Sequence, residues 1–275
     1  MRQYGYGGYG TGGVSFPRVA PTVKWIIIAT VAAFVGQVLF LTLAHNSLAN
    51  YLGVVPRAVV EDLRVWQVFT YMFLHSPRHL FHIVMNMLLL YWFGTELERM
   101  LGRRRFLGLY FGGGVAGGIA YAITQYIPPE STTPAIGASA AVMAVMVVYA
   151  IHFPNRRILL FFFVPMAVKW FVLLMIGIDL LYSITQYADS VAHTAHLGGA
   201  LYGFLFWRLG PRVAQVFTRV DDRRREREVQ READDDRRVD ELLAKISRKG
   251  FDSLSRRERE FLKEQSRRRR DRGYR

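Results

Sequence analysis

Apolar runs dominate the pattern of this chain. Six stretches reach or approach the roughly 20 residues needed to cross about 30 Å of hydrocarbon. They are residues 22–44 (TVKWIIIATVAAFVGQVLFLTLA), 79–98 (ending LLLYWFG), 105–126, 137–153, 166–186 and 190–208. The alternating or amphipathic patterns of a soluble domain are missing from them. The expected fold class is therefore all-α: a polytopic membrane protein with a six-helix bundle. The apolar stretch 158–186 is too long for one span and too short for two. Pro165 breaks the helix there. Residues 158–164 are expected to lie along the interface, and Lys169 to snorkel to the headgroups.

Orientation follows from arginine and lysine. The connection between spans 2 and 3 carries Arg99, Arg103, Arg104 and Arg105, and that between spans 4 and 5 carries Arg156 and Arg157. The 3–4 and 5–6 connections have neither residue type. The positive-inside rule then places both termini in the cytoplasm. By parity the first loop, about 45–78, lies outside despite Arg57, Arg64 and Arg78. Its Trp66, Phe69, Tyr71 and Phe73 suit a segment lying in the outer interface.

The same pattern divides the chain into domains. Residues 1–20 read as a flexible Gly/Tyr-rich tail, without the h-region and cleavage site of a signal peptide. The six-helix membrane domain takes 21–210, a charged linker 211–238, and a small cytoplasmic helical hairpin with a basic tail 239–275. In that hairpin Val239, Leu242, Leu243 and Ile246 share a helical face. Gly250 is a helix stop, and Ser255 with Glu258 makes a capping-box pattern before Leu262.

Composition and charge narrow the function. There is no cysteine, which excludes disulfides, a thiolate nucleophile and a cysteine-bound metal. The net charge is +14. Residues 211–275 hold 22 Lys/Arg against 15 Asp/Glu, about half of that excess. We read this tail as a solvated segment near anionic headgroups and expect no nucleic acid as partner.

Polar residues inside the spans carry the chemistry. Span 2 has His82 and Asn86 in its first turns, span 4 has Ser139, and span 6 has His193 and His196. At about 1.5 Å per residue, all lie within roughly 3–12 Å of the outer helix ends. Groups of this kind are costly in a membrane and tend to face the bundle interior or a wet cavity. A single hydrated pocket open to the outside is the expected arrangement. There, serine and histidine can perform acyl transfer. His82 and Asn86, four apart on one helix face, can donate to the developing oxyanion, as can backbone N–H groups beside Ser139. The competing reading is that Ser139 is a small packing residue. Gly199 and Gly203 form a GxxxG surface, and Ala140, Ala141 and Ala144 are small residues on span 4. Close packing of spans 4 and 6 serves both readings.

At these residues the chain resembles the rhomboid intramembrane serine proteases. The match covers about 60–208 and comprises WQVFTYMFLH in the first loop, HxxxN from His82 to Asn86, GxSx at 137–140 and AHxxGxxxG at 195–203. The resemblance implies a bacterial-type six-helix member of the cell (inner) membrane. It implies a Ser139–His196 catalytic dyad and an oxyanion site from His82, Asn86 and the backbone near Ser139. It also implies substrates that are membrane-anchored proteins, cut near the outer end of a transmembrane helix. The 239–266 hairpin is similar to a C-terminal module of some bacterial members. Three positions depart from the family pattern: Ala140 stands where glycine is usual, Gln67 follows Trp66 in place of arginine, and Met143 replaces an aromatic. Ala140 is expected to add a methyl where spans 4 and 6 are closest and so to reduce activity.

The function read here is an intramembrane serine endopeptidase, with the lipid bilayer and transmembrane-helix protein substrates as partners and with no cofactor or metal. The alternative is a catalytically silent relative that binds transmembrane helices. A small transporter or channel is disfavoured by the apolar inner halves of spans 2, 4 and 6. His193 is read as a cavity-rim residue, and His75 and His79 as interfacial. Asp179 in span 5 is read as a water-facing or hydrogen-bonded structural residue in preference to a third member orienting a histidine.

Overall fold

The computed structural model describes residues 18–44, 47–126, 134–160, 164–185, 191–250 and 253–273. Nearly all of the expected N-terminal tail lies outside them. The chain forms two compact units, Met1–Leu209 and Gly210–Arg275.

The first unit opens with α1 (Pro21–Ala44). Three short helices follow in the first loop: α2 (Ala49–Leu52), α3 (Pro56–Val60) and α4 (Gln67–Thr70), with a 3₁₀ turn at Tyr71–Phe73. Helix α5 (Leu80–Leu89) runs through a π turn at Leu90–Gly94 into α6 (Thr95–Leu101). Then come α7 (Arg103–Tyr126), α8 (Ser139–His152) and α9 (Val168–Thr185). The last helix, α10 (His193–Lys249), gives residues 193–209 to this unit. Among the described residues, four helices are long and apolar enough to cross a membrane: Pro21–Ala44, Leu80–Leu101, Arg103–Tyr126 and Val168–Thr185.

The expected fourth span is shorter than the sequence suggests. Helix α8 has 14 residues, about 21 Å at 1.5 Å per residue. Residues 140–150 of it are all buried. A helix enclosed by other helices is not required to match the hydrocarbon thickness. It packs on α7, the π turn, α5 and α9.

Small residues make that enclosure possible on two sides. A Cβ on Gly117 or Gly113 of α7 would fall 2.4 Å from the methyls of Ala140 and Ala144. A Cβ on Gly199 or Gly203 of α10 would fall 2.1 and 2.6 Å from the carbonyl oxygens of the same two alanines. The alanine methyls thus fill the glycine notches of α7, while the glycine face of α10 lies on the α8 backbone. This corrects the expectation for Ala140: its methyl packs against α7, and the approach of α10 is left intact.

Of the stretch expected at the interface, residues 158–160 and 164 are strand, and residues 161–163 lie outside the described residues. Strands β1 (Arg157–Leu160) and β2 (Val164–Ala167) pair antiparallel, Arg157 opposite Ala167 and Leu160 opposite Val164. Pro165 sits in β2 opposite Leu159. A two-stranded ribbon has only edges, where a residue without an N–H is tolerated. The helix break at Pro165 therefore ends in paired backbone, which an apolar run alone does not signal.

Polar residues clamp the unit. The Glu98 carboxylate accepts the Thr22 and Val23 N–H groups at 2.9 Å each, capping the start of α1. In the first loop Gln67 is fully buried. It accepts from Val55 N–H at 3.0 Å and donates to the Asn50 and Tyr51 carbonyls at 3.3 Å. A neutral amide can both donate and accept there, which explains glutamine at this position. Trp66 and Phe69 are exposed, as expected of an interfacial segment, but Tyr71 is buried and donates to the Gly114 carbonyl of α7 at 2.6 Å.

The second unit holds residues 210–249 of α10 and α11 (Arg256–Gly273). Gly250, at φ +81°, closes α10 by bonding to the Ile246 carbonyl at 2.8 Å. The capping box is complete: Ser255 N–H to the Glu258 carboxylate at 2.7 Å and Glu258 N–H to Ser255 Oγ at 3.3 Å. Lys245 pairs with Glu258 at 2.9 Å, and the Arg238 guanidinium lies 4.9 Å from the centre of the Phe261 ring. Val239, Leu242 and Leu254 are buried; Leu243, expected on the same face, is exposed.

Candidate active site

Backbone pairing sets the approach to Ser139. Val54 and Ala135 exchange two N–H to carbonyl bonds of 3.0 Å, and Gly137 N–H donates to the Tyr71 carbonyl at 3.0 Å. The first loop therefore holds the segment that delivers the serine. Gly137 has φ +127°, a backbone conformation that favours glycine. A Cβ there would also lie 2.7 Å from His82 Cε1 and 3.8 Å from Ser139 Oγ. Glycine keeps open the space that both side chains border.

Ser139 opens α8. The first backbone bond of that helix runs from Val142 N–H to the Ala138 carbonyl at 3.0 Å. The N–H groups of Ser139, Ala140 and Ala141 precede it and fall among the donors that a helix N-terminus leaves without an intrahelical acceptor. His75 lies behind this turn and is fully buried. Its Nε2 accepts a long 3.4 Å contact from Ala138 N–H. Burial, with His82 adding to it, pushes the His75 pKa from 6.5 down to about 3, so the ring stays neutral and can accept. The interfacial reading of His75 is corrected; His79 is exposed.

The two residues expected to react come together. His196 Nε2 lies 2.7 Å from Ser139 Oγ. His82 and Asn86 sit one turn apart on α5, where the Asn86 amide donates to the His82 carbonyl at 2.9 Å. Asn86 is buried at 4% exposure, and His82 borders the space beside Gly137.

Asp179 is buried and hydrogen-bonded, which leaves open both the structural reading and the orienting one. Asp179 is 2% exposed. Its Oδ1 lies 2.9 Å from His196 Nδ1 and 2.7 Å from His193 Nδ1. His193 is partly exposed, with 11% of its side chain accessible, and its ring lies 4.8 Å from that of Tyr182. A carboxylate within a span costs about 2.5–3.5 kcal/mol on insertion, so it demands partners. The signal available in the sequence was an acidic residue in an otherwise apolar helix. Asp179, His193 and His196 also have their ligand atoms within 4.8 Å of one another, a spacing that can hold a metal ion. Both Nδ1 atoms already lie at hydrogen-bond distance from one carboxylate oxygen, so an ion would have to displace both bonds.

Comparison with known proteins adds a family. A family model described as the Rhomboid domain matches residues 62–212, and a second, of unknown function, matches residues 218–268. RHOMBOID-like protein 12, mitochondrial, of Arabidopsis thaliana is 34% identical over 139 residues, covering 46% of this chain and 41% of its own length. Rhomboid protein 1, mitochondrial, of Saccharomyces cerevisiae is 31% identical over 150 residues, covering 50% of this chain and 40% of its own. Presenilin-associated rhomboid-like protein A, mitochondrial, of Danio rerio is 32% identical over 139 residues, with 47% and 33% covered. The chain thus spans about two fifths or less of the length of these relatives.

Proposed function

The chain belongs to the rhomboid family, and from that premise we propose that it is an intramembrane serine endopeptidase. Its substrates are membrane-anchored proteins, cut near the outer end of a transmembrane helix. The observation that carries this reading is the 2.7 Å contact between His196 Nε2 and Ser139 Oγ. Ser139 Oγ attacks the scissile carbonyl as its proton passes to His196 Nε2. The proton then goes to the leaving amine as the C–N bond breaks. Water, deprotonated by the same nitrogen, hydrolyses the acyl-enzyme. The backbone N–H groups at the start of α8, with His82 and Asn86, stabilise the oxyanion.

The chain is a multi-pass membrane protein. We place both termini on the arginine-rich cytoplasmic side of the cell (inner) membrane and six crossings in between, with the Ser139 end of the bundle opening to the other side. The mitochondrial compartment printed for the relatives is theirs. A substrate helix must unwind locally, because a regular helix buries its carbonyls in hydrogen bonds.

Membranes holding wild-type or Ser139→Ala protein should differ in shed ectodomains. Release that depends on Ser139 supports the proposal. Identical fragments from both would overturn it and favour a silent helix-binding role.

A further inference from the structure

We propose that Asp179 is the positioning residue of this site: its carboxylate, steadied by His193, fixes the His196 imidazole in the tautomer whose Nε2 accepts the Ser139 proton. The proposal rests on the Ser139–His196 reading above and extends it by two residues.

Asp179 is the one acidic residue of α9 and is almost fully buried. An ionised carboxylate only accepts hydrogen bonds. Two imidazole Nδ1 atoms meet its Oδ1, His196 at 2.9 Å and His193 at 2.7 Å. Each must therefore carry its proton on Nδ1. In a neutral ring, that leaves Nε2 as the lone-pair atom, because the bond made by one ring nitrogen sets the state of the other. For His196 that lone pair faces Ser139 Oγ at 2.7 Å. One carboxylate bond thus decides whether His196 takes the serine proton or offers one of its own.

The carboxylate is itself held. His193 lies one helical turn before His196 and donates to the same oxygen, with its ring against Tyr182. Oδ2 is buried and has no hydrogen-bond partner among the described residues. Both bonds that orient this carboxylate come from histidines of α10. When Ser139 Oγ bonds to the substrate carbon, its proton goes to Nε2 and His196 becomes a cation. The Asp179 carboxylate offsets that charge. It gains no proton, and the proton on Nε2 leaves with the amine. In a low-dielectric interior such a fixed charge counts for more than in water.

A purely structural Asp179 would fasten α9 to α10 without choosing a tautomer. The test uses full-length protein in nanodiscs with 15N-labelled histidine; the chain has seven histidines, and the His196 signals are those lost in His196→Gln. In the wild type, Nδ1 of His196 should carry the proton and Nε2 should not. Asp179→Asn, of the same shape, should shift the population towards Nε2–H. It should lower kcat roughly 100-fold, with KM within about twofold. His193→Gln should lower kcat by about tenfold.

A wild-type His196 protonated on Nε2, or an Asp179→Asn protein with unchanged tautomer and kcat, overturns the proposal. If Asp179→Asn does not fold, the wild-type tautomer and His193→Gln decide. If wild type cleaves nothing while the His196 tautomer follows Asp179, the protease reading falls and the positioning of the ring stands.

Discussion

The two units of this chain use polar residues in opposite ways. Among the described residues of Met1–Leu209 the buried polar groups are few, and most make particular bonds: Gln67 ties the first loop, Glu98 caps α1, Tyr71 reaches α7, and Asp179 meets two histidines. In Gly210–Arg275 charge is dense and, among the described residues, mostly exposed, with pairs such as Lys245–Glu258 and the exposed Arg256–Glu260. The difference is one of dielectric. Where water is excluded, a polar side chain without a partner is expensive, so its position is informative. Where water is present, an ion pair contributes little and its count says little.

That contrast predicts effects of decreasing size. The largest follows a change to the α8–α10 contact. Gly199→Ala puts a methyl 2.1 Å from the Ala140 carbonyl oxygen, whereas a methyl on Gly36 meets nothing within 4 Å. We expect Gly199→Ala to destabilise the protein by about 1–3 kcal/mol, the usual cost of overpacking. It should also reduce proteolysis as His196 is displaced. Gly36→Ala should leave both unchanged, and thermal unfolding in nanodiscs alongside cleavage rates reads the pair.

Ala140→Gly should do less. It removes a methyl that faces Gly117 of α7 and not α10. A loss of about 1 kcal/mol in stability is expected, with the cleavage rate changed by less than about threefold. A large gain in rate would mean that the methyl does obstruct the dyad.

The smallest effect belongs to the second unit. Bonds from Ser255 and Lys245 lower the Glu258 pKa from 4.5 to about 2. A carboxylate with a depressed pKa supports the folded state above 4.5, and that support is lost as the pH falls towards 2. Protection from hydrogen exchange across 239–262, taken relative to the intrinsic rate at each pH, should therefore fall over that range in wild type. Glu258→Gln should show the reduced protection already at neutral pH, with proteolysis unaffected.

How much was legible follows the same divide. The long spans were visible because an uninterrupted apolar run has few other uses. Ser139, His196, His82 and Asn86 stood out as polar residues at one depth, and the capping box as a local pattern. What was missed depended on partners far along the chain. The Asp179 to His196 bond joins residues 17 apart on different helices, and no local spacing raised it above the structural reading of Asp179. The same holds for the paired strands 157–160 and 164–167, where an apolar run gives no sign of its hydrogen bonding, and for His75, buried by contacts with α1 and the turn before Ser139. The glycines of α7 were a readable signal, since notches at 113 and 117 require a close neighbour.

The most direct test of the central claim is peptide-mapped labelling of the full-length protein with a fluorophosphonate. The account predicts one adduct, on Ser139, formed by wild type and lost in His196→Gln of matched thermal stability. An adduct on Ser139 that forms equally fast without the imidazole, or no adduct on the folded wild-type protein, would contradict it.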